Sequence, residues 1–261
     1  YKIIEVLGHG TYSIVYLVKD LSTGLLYALK CLSKLNLTPE MQDIQFDEVL
    51  AMKQLGNHQN IVKLYSHFET NDWLFLVLEY CEGSDLFSWI LKIDVDSTSE
   101  TDRLLNAKNR FEQILEAAQY MHNNNVYHRD LKPENVLLLK DGTVKLGDFG
   151  LATFDDISEE FYCGTKAYMS YECNNEENNT YLADAADVWS LGLIFINMVY
   201  RTLPWSEANI DQCSKFARFN SDPVNYLIEK LDCSYEIADF LANRVFCEES
   251  SRVSLKKFKE W

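Results

Sequence analysis

The seven cysteines, at 31, 81, 163, 173, 213, 233 and 247, include no C-x-x-C pair. Their spacing disfavours a thiol-redox motif or a zinc ribbon and suits a reduced, intracellular protein, cytoplasmic or nuclear. Long apolar runs are missing too. The longest, VWSLGLIFINMVY (188–200), is interrupted and falls short of the ~20 apolar residues a membrane helix needs, so it reads as a buried core helix. Positive charge is scarce: 24 Lys and Arg face 40 Asp and Glu, a net charge of −16. The deficit argues against nucleic acid or an anionic membrane as the main partner and tolerates basic protein substrates. The same excess would also serve simply to keep the surface soluble. The chain opens on Tyr1 with no Met and no basic-then-apolar leader, as expected of a domain cut from a longer protein.

What is present is enough for a sizeable core, since 47% of the 261 residues are apolar. Strand-like runs fill the first third: YKIIEVLG, SIVYLVKD, a turn at Ser22-Thr23-Gly24, LLYALKCL, then IVKLYSHFE and WLFLVLEY. Between them, EMQDIQFDEVLAMKQL spaces Ile44, Val49, Met52 and Leu55 on one helical face. Beyond Gly83 helical patterns dominate: DLFSWILK, RLLNAKNRFEQILEAAQYMHNN and residues 184–200. KIDVDSTSETD reads as an acidic surface loop.

Four stretches carry chemistry. GHGTYSIV (8–15) places Gly8 and Gly10 in a turn whose backbone N–H groups can approach phosphate oxygens. A dinucleotide-binding reading needs a helix after the glycines, and Ile14 and Val15 read as strand, so that reading loses. Lys30 lies on an apolar strand, where a buried ammonium needs a counter-charge; Glu48, on the following helix, is one source. A snorkelling edge lysine is the plainer alternative. VYHRDLKPENVLL (126–138) packs six polar side chains between apolar runs, where burial is costly unless each is paired. Within it Asp130 suits a proton acceptor, Lys132 a phosphate counter-charge and Asn135 an oxygen donor to a hard cation. KLGDFG then places Asp148 in a turn after a strand, and a carboxylate with an amide oxygen suits Mg²⁺.

HRDLKPEN (128–135), DFG (148–150), CGTKAYMSYE (163–172) and DVWSLG (187–192), in this order, resemble the eukaryotic protein kinase family of serine/threonine type over essentially the whole chain. Lys132 and Thr165 carry the serine/threonine assignment. PENVLLL, the 187–205 stretch and ANIDQCSKFARFNSDPVNYL are similar to fungal kinases of nutrient and meiotic control, and NNEENN (174–179) fits loosely. The resemblance implies a bilobal α+β catalytic domain: an N-lobe to about residue 79, with a small antiparallel sheet and one helix, a hinge at about 79–84, and a mainly helical C-lobe from about 85 to 261. It implies ATP and Mg²⁺ as cofactors and protein Ser/Thr hydroxyls as acceptors. Leu7, Gly8, Gly10, Val15, Ala28 and Leu137 would enclose the nucleotide, with Leu78 as gatekeeper and Glu79 to Cys81 as adenine-contacting hinge. Asp85 would contact ribose or substrate, and with Glu134 would meet basic substrates. Lys30 would hold the α- and β-phosphates and pair with Glu48, with Asp47 as runner-up because LGNHQNIV is one residue longer than usual. Asp130 would be the catalytic base, Lys132 would hold the γ-phosphate, and Asn135 and Asp148 would hold Mg²⁺. Met52, Leu64, His128 and Phe149 would stack as a spine across the lobes.

There are departures from the family pattern. Ser13 replaces the third glycine of the phosphate loop, and Ser170-Tyr171-Glu172 replaces Ala-Pro-Glu while keeping a glutamate able to pair with Arg252. The position often phosphorylated in the activation segment falls on Phe161. Glu159 or Glu160 would then supply the negative charge to Arg129; the competing reading is that Ser158 or Thr153 is the switch. A pseudokinase or scaffold module is the alternative function, against which the presence of Lys30, Asp130, Asn135 and Asp148 argues, and a small-molecule phosphotransferase ranks behind it.

Overall fold

The structure, a computed structural model, describes residues 1–10, 13–93, 97–176 and 179–261. Thr11 and Tyr12 of the glycine turn, residues 94–96 of the acidic loop and residues 177–178 of the Asn-rich stretch lie outside the described residues. The apolar-rich runs of the first third form five strands: β1 (Lys2–His9), β2 (Ser13–Lys19), β3 (Leu26–Ser33), β4 (Leu64–Glu69) and β5 (Trp73–Leu78). They make one antiparallel sheet in the order β1-β2-β3-β5-β4. Its register sets Val15 opposite Lys30 and Ala28 opposite Leu78, which brings four of the nucleotide-site candidates together.

Helix α1 (Pro39–Leu55) starts where Thr38 accepts the Met41 N–H and Pro39 occupies the first turn, and ends at Gly56 with φ 60°. Its buried face is Glu48, Val49, Ala51, Met52 and Leu55. Ile44, expected on that face, is 53% exposed, because it lies a turn nearer the N-terminus than the part of the helix that meets the sheet. The strand expected over 61–69 begins only at Leu64. Residues 60–62 instead bond a strand of the other lobe: Val62 N–H donates to Leu146 O and Leu146 N–H to Asn60 O, each at 2.8 Å.

The second lobe is helical: α2 (Leu86–Ile90), α3 (Glu100–Asn123), α4 (Ala183–Tyr200), α5 (Ser214–Ser221), α6 (Pro223–Leu231), α7 (Tyr235–Phe240) and α8 (Leu255–Glu260). Two ribbons complete it, β6 (Val136–Leu138) with β7 (Val144–Leu146), and β8 (Ile157–Ser158) with β9 (Tyr181–Leu182). Every residue of α4 except Asp184 is buried, so this helix is the axis of the lobe, as a helix with apolar residues on all its faces demands. No described helix is long and apolar enough to cross a membrane.

Gly192, in the middle of α4, lets the turn after α7 pack closely. A Cβ there would sit 2.5 Å from Val245 Cγ1 and 3.0 Å from the Phe246 ring. Gly192→Ala gains about 1 kcal/mol of helix propensity but overpacks at a cost of about 1–3 kcal/mol. The net loss, up to about 2 kcal/mol, should lower Tm by up to about 8 °C in a thermal melt. An unchanged or higher Tm would show that the contact yields freely.

Candidate active site

Between the lobes lies a cleft of about 450 Å³. Leu7, Gly8, Gly10, Val15, Ala28, Leu78, Glu79, Cys81, Asp85 and Leu137 all line it, as do Lys30, Glu48, Asn135 and Asp148. Apolar strand residues cover the two flat walls, and the polar groups converge at one end. There Lys30 Nζ donates to Glu48 at 2.7 and 2.8 Å and to Asp148 Oδ1 at 2.7 Å. Lys30 and Glu48 are both buried (8% and 2% exposed). Burial alone would lower the Lys30 pKa, but Glu48 and Asp148 together outweigh it and hold the ammonium charged. Burial likewise works against the Asp148 carboxylate, and Lys30 more than offsets it, so Asp148 stays below the usual carboxylate range. At the hinge, burial and then Glu79 push the Cys81 thiol up to about 12, keeping it neutral against the cleft.

The choice between Glu48 and Asp47 is decided by helix phase. Glu48 shares a face with Met52 and Leu55, at i+4 and i+7, and that face meets β3. Asp47 is one residue round the helix, away from Lys30.

The polar loop after α3 forms a second cluster. Asp130 Oδ1 accepts the Thr165 hydroxyl at 2.7 Å, and its Oδ2 accepts Lys132 Nζ at 2.7 Å and Asn135 Nδ2 at 3.3 Å. Lys132 Nζ also donates to Thr165 Oγ1 at 2.8 Å. Asn135 Nδ2 donates to Asp130 O at 2.8 Å, so its bonds use only the amide N–H groups and its amide oxygen is left for another ligand. Asp85, by contrast, is engaged locally: its carboxylate caps α2 through Ser88 N at 2.6 Å and Ser88 Oγ at 3.1 Å.

The loop backbone is held by Asp187, 1% exposed at the start of α4. Its Oδ2 accepts His128 N and its Oδ1 accepts Arg129 N, both at 2.9 Å, and His122 Nε2 lies 2.9 Å from Oδ2. Arg129 and Asp148 both sit in the left-handed region, with φ 62° and 61°. Such backbone persists only where its surroundings over-determine it, and Asp187 does so for Arg129. Met52, His128 and Phe149 are buried, with the His128 and Phe149 rings 5.1 Å apart, and Leu64 packs partly buried on the same core.

The sequence matches the protein kinase domain family over residues 1–260. The chain belongs to that family. It is similar to the negative regulator of sexual conjugation and meiosis of Schizosaccharomyces pombe, at 32% identity over 94% of this chain and 55% of that protein. It is also similar to serine/threonine-protein kinase ksp1 of the same yeast, at 36% identity over 79% of the chain and 44% of the relative. CBL-interacting protein kinase 28 of Oryza sativa subsp. japonica is 31% identical over 99% of the chain and 58% of its own length. The chain thus spans about half the length of the curated relatives it matches.

In this kinase domain the segment after the DFG turn is pinned through Arg129. Its Nε donates to Leu151 O at 2.7 Å, while its Nη1 bonds the Glu160 carboxylate and lies 3.3 Å from Ser158 Oγ. Glu159 makes no such bond. Ser158 is paired into β8 and 5% exposed, and Phe161 packs on Tyr181. Sequence reasoning missed Asp187, Val62 and Gly147. For Asp187 a signal existed, an acidic side chain opening the most apolar stretch of the chain. Val62 and Gly147 line the cleft too, inside the quoted runs IVKLYSHFE and KLGDFG, but neither has a functional group to mark it.

Proposed function

We propose that this domain is a serine/threonine protein kinase that transfers the terminal phosphoryl group of ATP to Ser or Thr hydroxyls of protein substrates. The observation that carries the reading is the closed triangle of Asp130, Lys132 and Thr165 at the mouth of a cleft ending in Lys30, Glu48 and Asp148. Lys30, oriented by Glu48, binds the α- and β-phosphates. The Asn135 amide oxygen and the anionic Asp148 form an all-oxygen donor set that fits Mg²⁺. When bound there, the cation neutralises phosphate charge. Asp130 orients the acceptor hydroxyl and takes its proton as that oxygen attacks the γ-phosphorus and the bond to the ADP oxygen breaks. Lys132 offsets charge on the transferring group, and Thr165 helps seat the acceptor. Glu134, exposed at the cleft, favours basic substrates; Asp85 does so less, being engaged as a helix cap. The seven free cysteines support a reducing setting, cytoplasmic or nuclear.

The test is transfer from labelled ATP with Mg²⁺ to a mixed set of basic and acidic proteins, with identification of the phosphorylated amino acid. Label on serine or threonine supports the reading. Nucleotide binding without transfer would favour the pseudokinase alternative, and label on small metabolites alone would favour the third.

We further propose that Glu160 is the resident counter-charge of Arg129, so that the segment orders without phosphorylation. Ser158 is occluded in β8, which argues against it as a switch. Charge-assisted bonds are about twice as strong as neutral ones, so Glu160→Gln should lower kcat of unphosphorylated protein about tenfold. Ser158→Ala and Thr153→Ala should stay within about threefold: among the described residues Thr153 Oγ1 accepts only the Asp155 N–H at 3.3 Å, and Ser158 Oγ accepts the Glu160 N–H at 3.2 Å and a long 3.3 Å bond from Arg129, whose charge Glu160 still meets. A strict requirement for phosphate at Ser158 or Thr153 in the wild type would overturn this.

A further inference from the structure

At the hinge, two chain segments cross between the lobes, and one carboxylate joins them. Glu79 opens the hinge directly after β5. Its Oε2 lies 2.8 Å from Lys145 Nζ on β7 and accepts the backbone N–H of Lys63 at 3.2 Å, while Glu79 N–H returns a bond to Lys63 O at 2.9 Å. The two side chains are largely buried, 20% and 11% exposed. The same strand is gripped on both sides of Lys145. Asn60 Nδ2 donates to Val144 O at 3.0 Å, and Leu146 exchanges backbone bonds with residues 60 and 62. The far end of the hinge is fixed too, since Gly83 N–H donates to Leu138 O at 2.9 Å on β6, the partner of β7.

A buried ion pair gains little stability over an apolar packing of the same volume, but its charge-assisted bonds are directional. Here the direction is informative. Lys145 is three residues from Asp148 and pairs across the ribbon with Leu137, which floors the cleft. Glu79 is the neighbour of Leu78, which closes the cleft's back. Lobe motions pivot on a few segment-terminal residues, and this pair sits at such a pivot.

We infer that Glu79 and Lys145 are positioning residues that set the distance between the hinge and the strand carrying Asp148, and so hold the cleft at nucleotide width. Neither touches the reacting atoms. The inference rests on the nucleotide-dependent reading above.

The test compares wild type with Glu79→Gln, Lys145→Met, Lys145→Arg and the Glu79→Gln/Lys145→Met pair. Four quantities are measured: Kd for a non-hydrolysable ATP analogue, KM for ATP with kcat, Tm without nucleotide, and amide hydrogen exchange at 79–83 and 144–148. Lys145→Met and Glu79→Gln should each raise Kd and KM about tenfold, with kcat at saturating ATP within about threefold. The double variant should be no worse than either single one, and Lys145→Arg should recover most of the affinity. Exchange in the two segments should rise together. A fall in Tm with unchanged Kd and KM would reduce the pair to a structural role and overturn the proposal; so would a rise in kcat, which would make the pair a brake. If wild type bound no nucleotide, the kinase reading would fail, and exchange would still decide the strut: unchanged exchange in Lys145→Met overturns it.

Discussion

Asp130→Asn is expected to lower kcat by about 10²–10⁴ while leaving nucleotide affinity within about threefold. The side chain keeps its size, so the loss reports chemistry rather than packing. Asp130 accepts three side-chain hydrogen bonds, from Thr165, Lys132 and Asn135, through both carboxylate oxygens. An asparagine offers one acceptor oxygen, and its NH₂ must then face at least one of those donors. The variant therefore loses the proton acceptor and loosens Lys132 in one step. Asp130 is not among the side chains lining the nucleotide cleft, which is why binding should survive. Single-turnover transfer, paired with calorimetric titration of the nucleotide, separates the two effects. Retention of more than a tenth of wild-type kcat would remove Asp130 from the proton's path. A parallel loss of nucleotide binding would mean that the loop had moved as a whole.

The sequence marks what lies in consecutive residues far better than what tertiary contact assembles. HRDLKPEN was readable because many polar groups between apolar runs must be paired with something, and here they pair with one another and with Thr165. Lys30 was conspicuous because a charged residue stood in an apolar strand. The helix of residues 39–55 was readable from its period, yet Ile44 shows the limit: phase tells which way a residue faces, and not whether anything reaches that far along the helix. The run before β4 fails for a related reason. IVKLYSHFE has a strand's composition throughout, but residues 60–62 find their hydrogen-bond partners on β7, in the other lobe. Asp187 binds a loop 58 and 59 residues earlier, and Glu79 meets Lys145 only once both lobes have formed. Apart from the place of Asp187 at the head of an apolar stretch, such pairs have no local signature, since each residue alone passes for a surface charge.

The largest expected effect on stability lies at Arg252, in another buried pair of residues distant in sequence. Its Nη1 donates to Glu172 at 2.6 Å and to Ala185 O at 2.7 Å, and its Nη2 donates to Glu172 at 3.2 Å and to Cys247 O at 2.8 Å. The guanidinium also lies 5.1 Å from the Trp189 ring centre, and the two side chains of the ion pair are 1% and 8% exposed. Arg252→Met keeps much of the apolar volume but strands a buried carboxylate, at a cost of about 3–5 kcal/mol. At about 2–4 °C per kcal/mol, the loss in Tm is about 6–20 °C. Adding Glu172→Leu removes the stranded charge, so the double variant should melt higher than Arg252→Met alone, a reversal that simple loss of packing would not give. Glu172 closes the segment that carries Thr165, so transfer should weaken in both variants even where the fold recovers. Equal melting of the single and double variants would show that Glu172 finds another partner. In that event the glutamate kept in Ser170-Tyr171-Glu172 would owe its place to something other than Arg252.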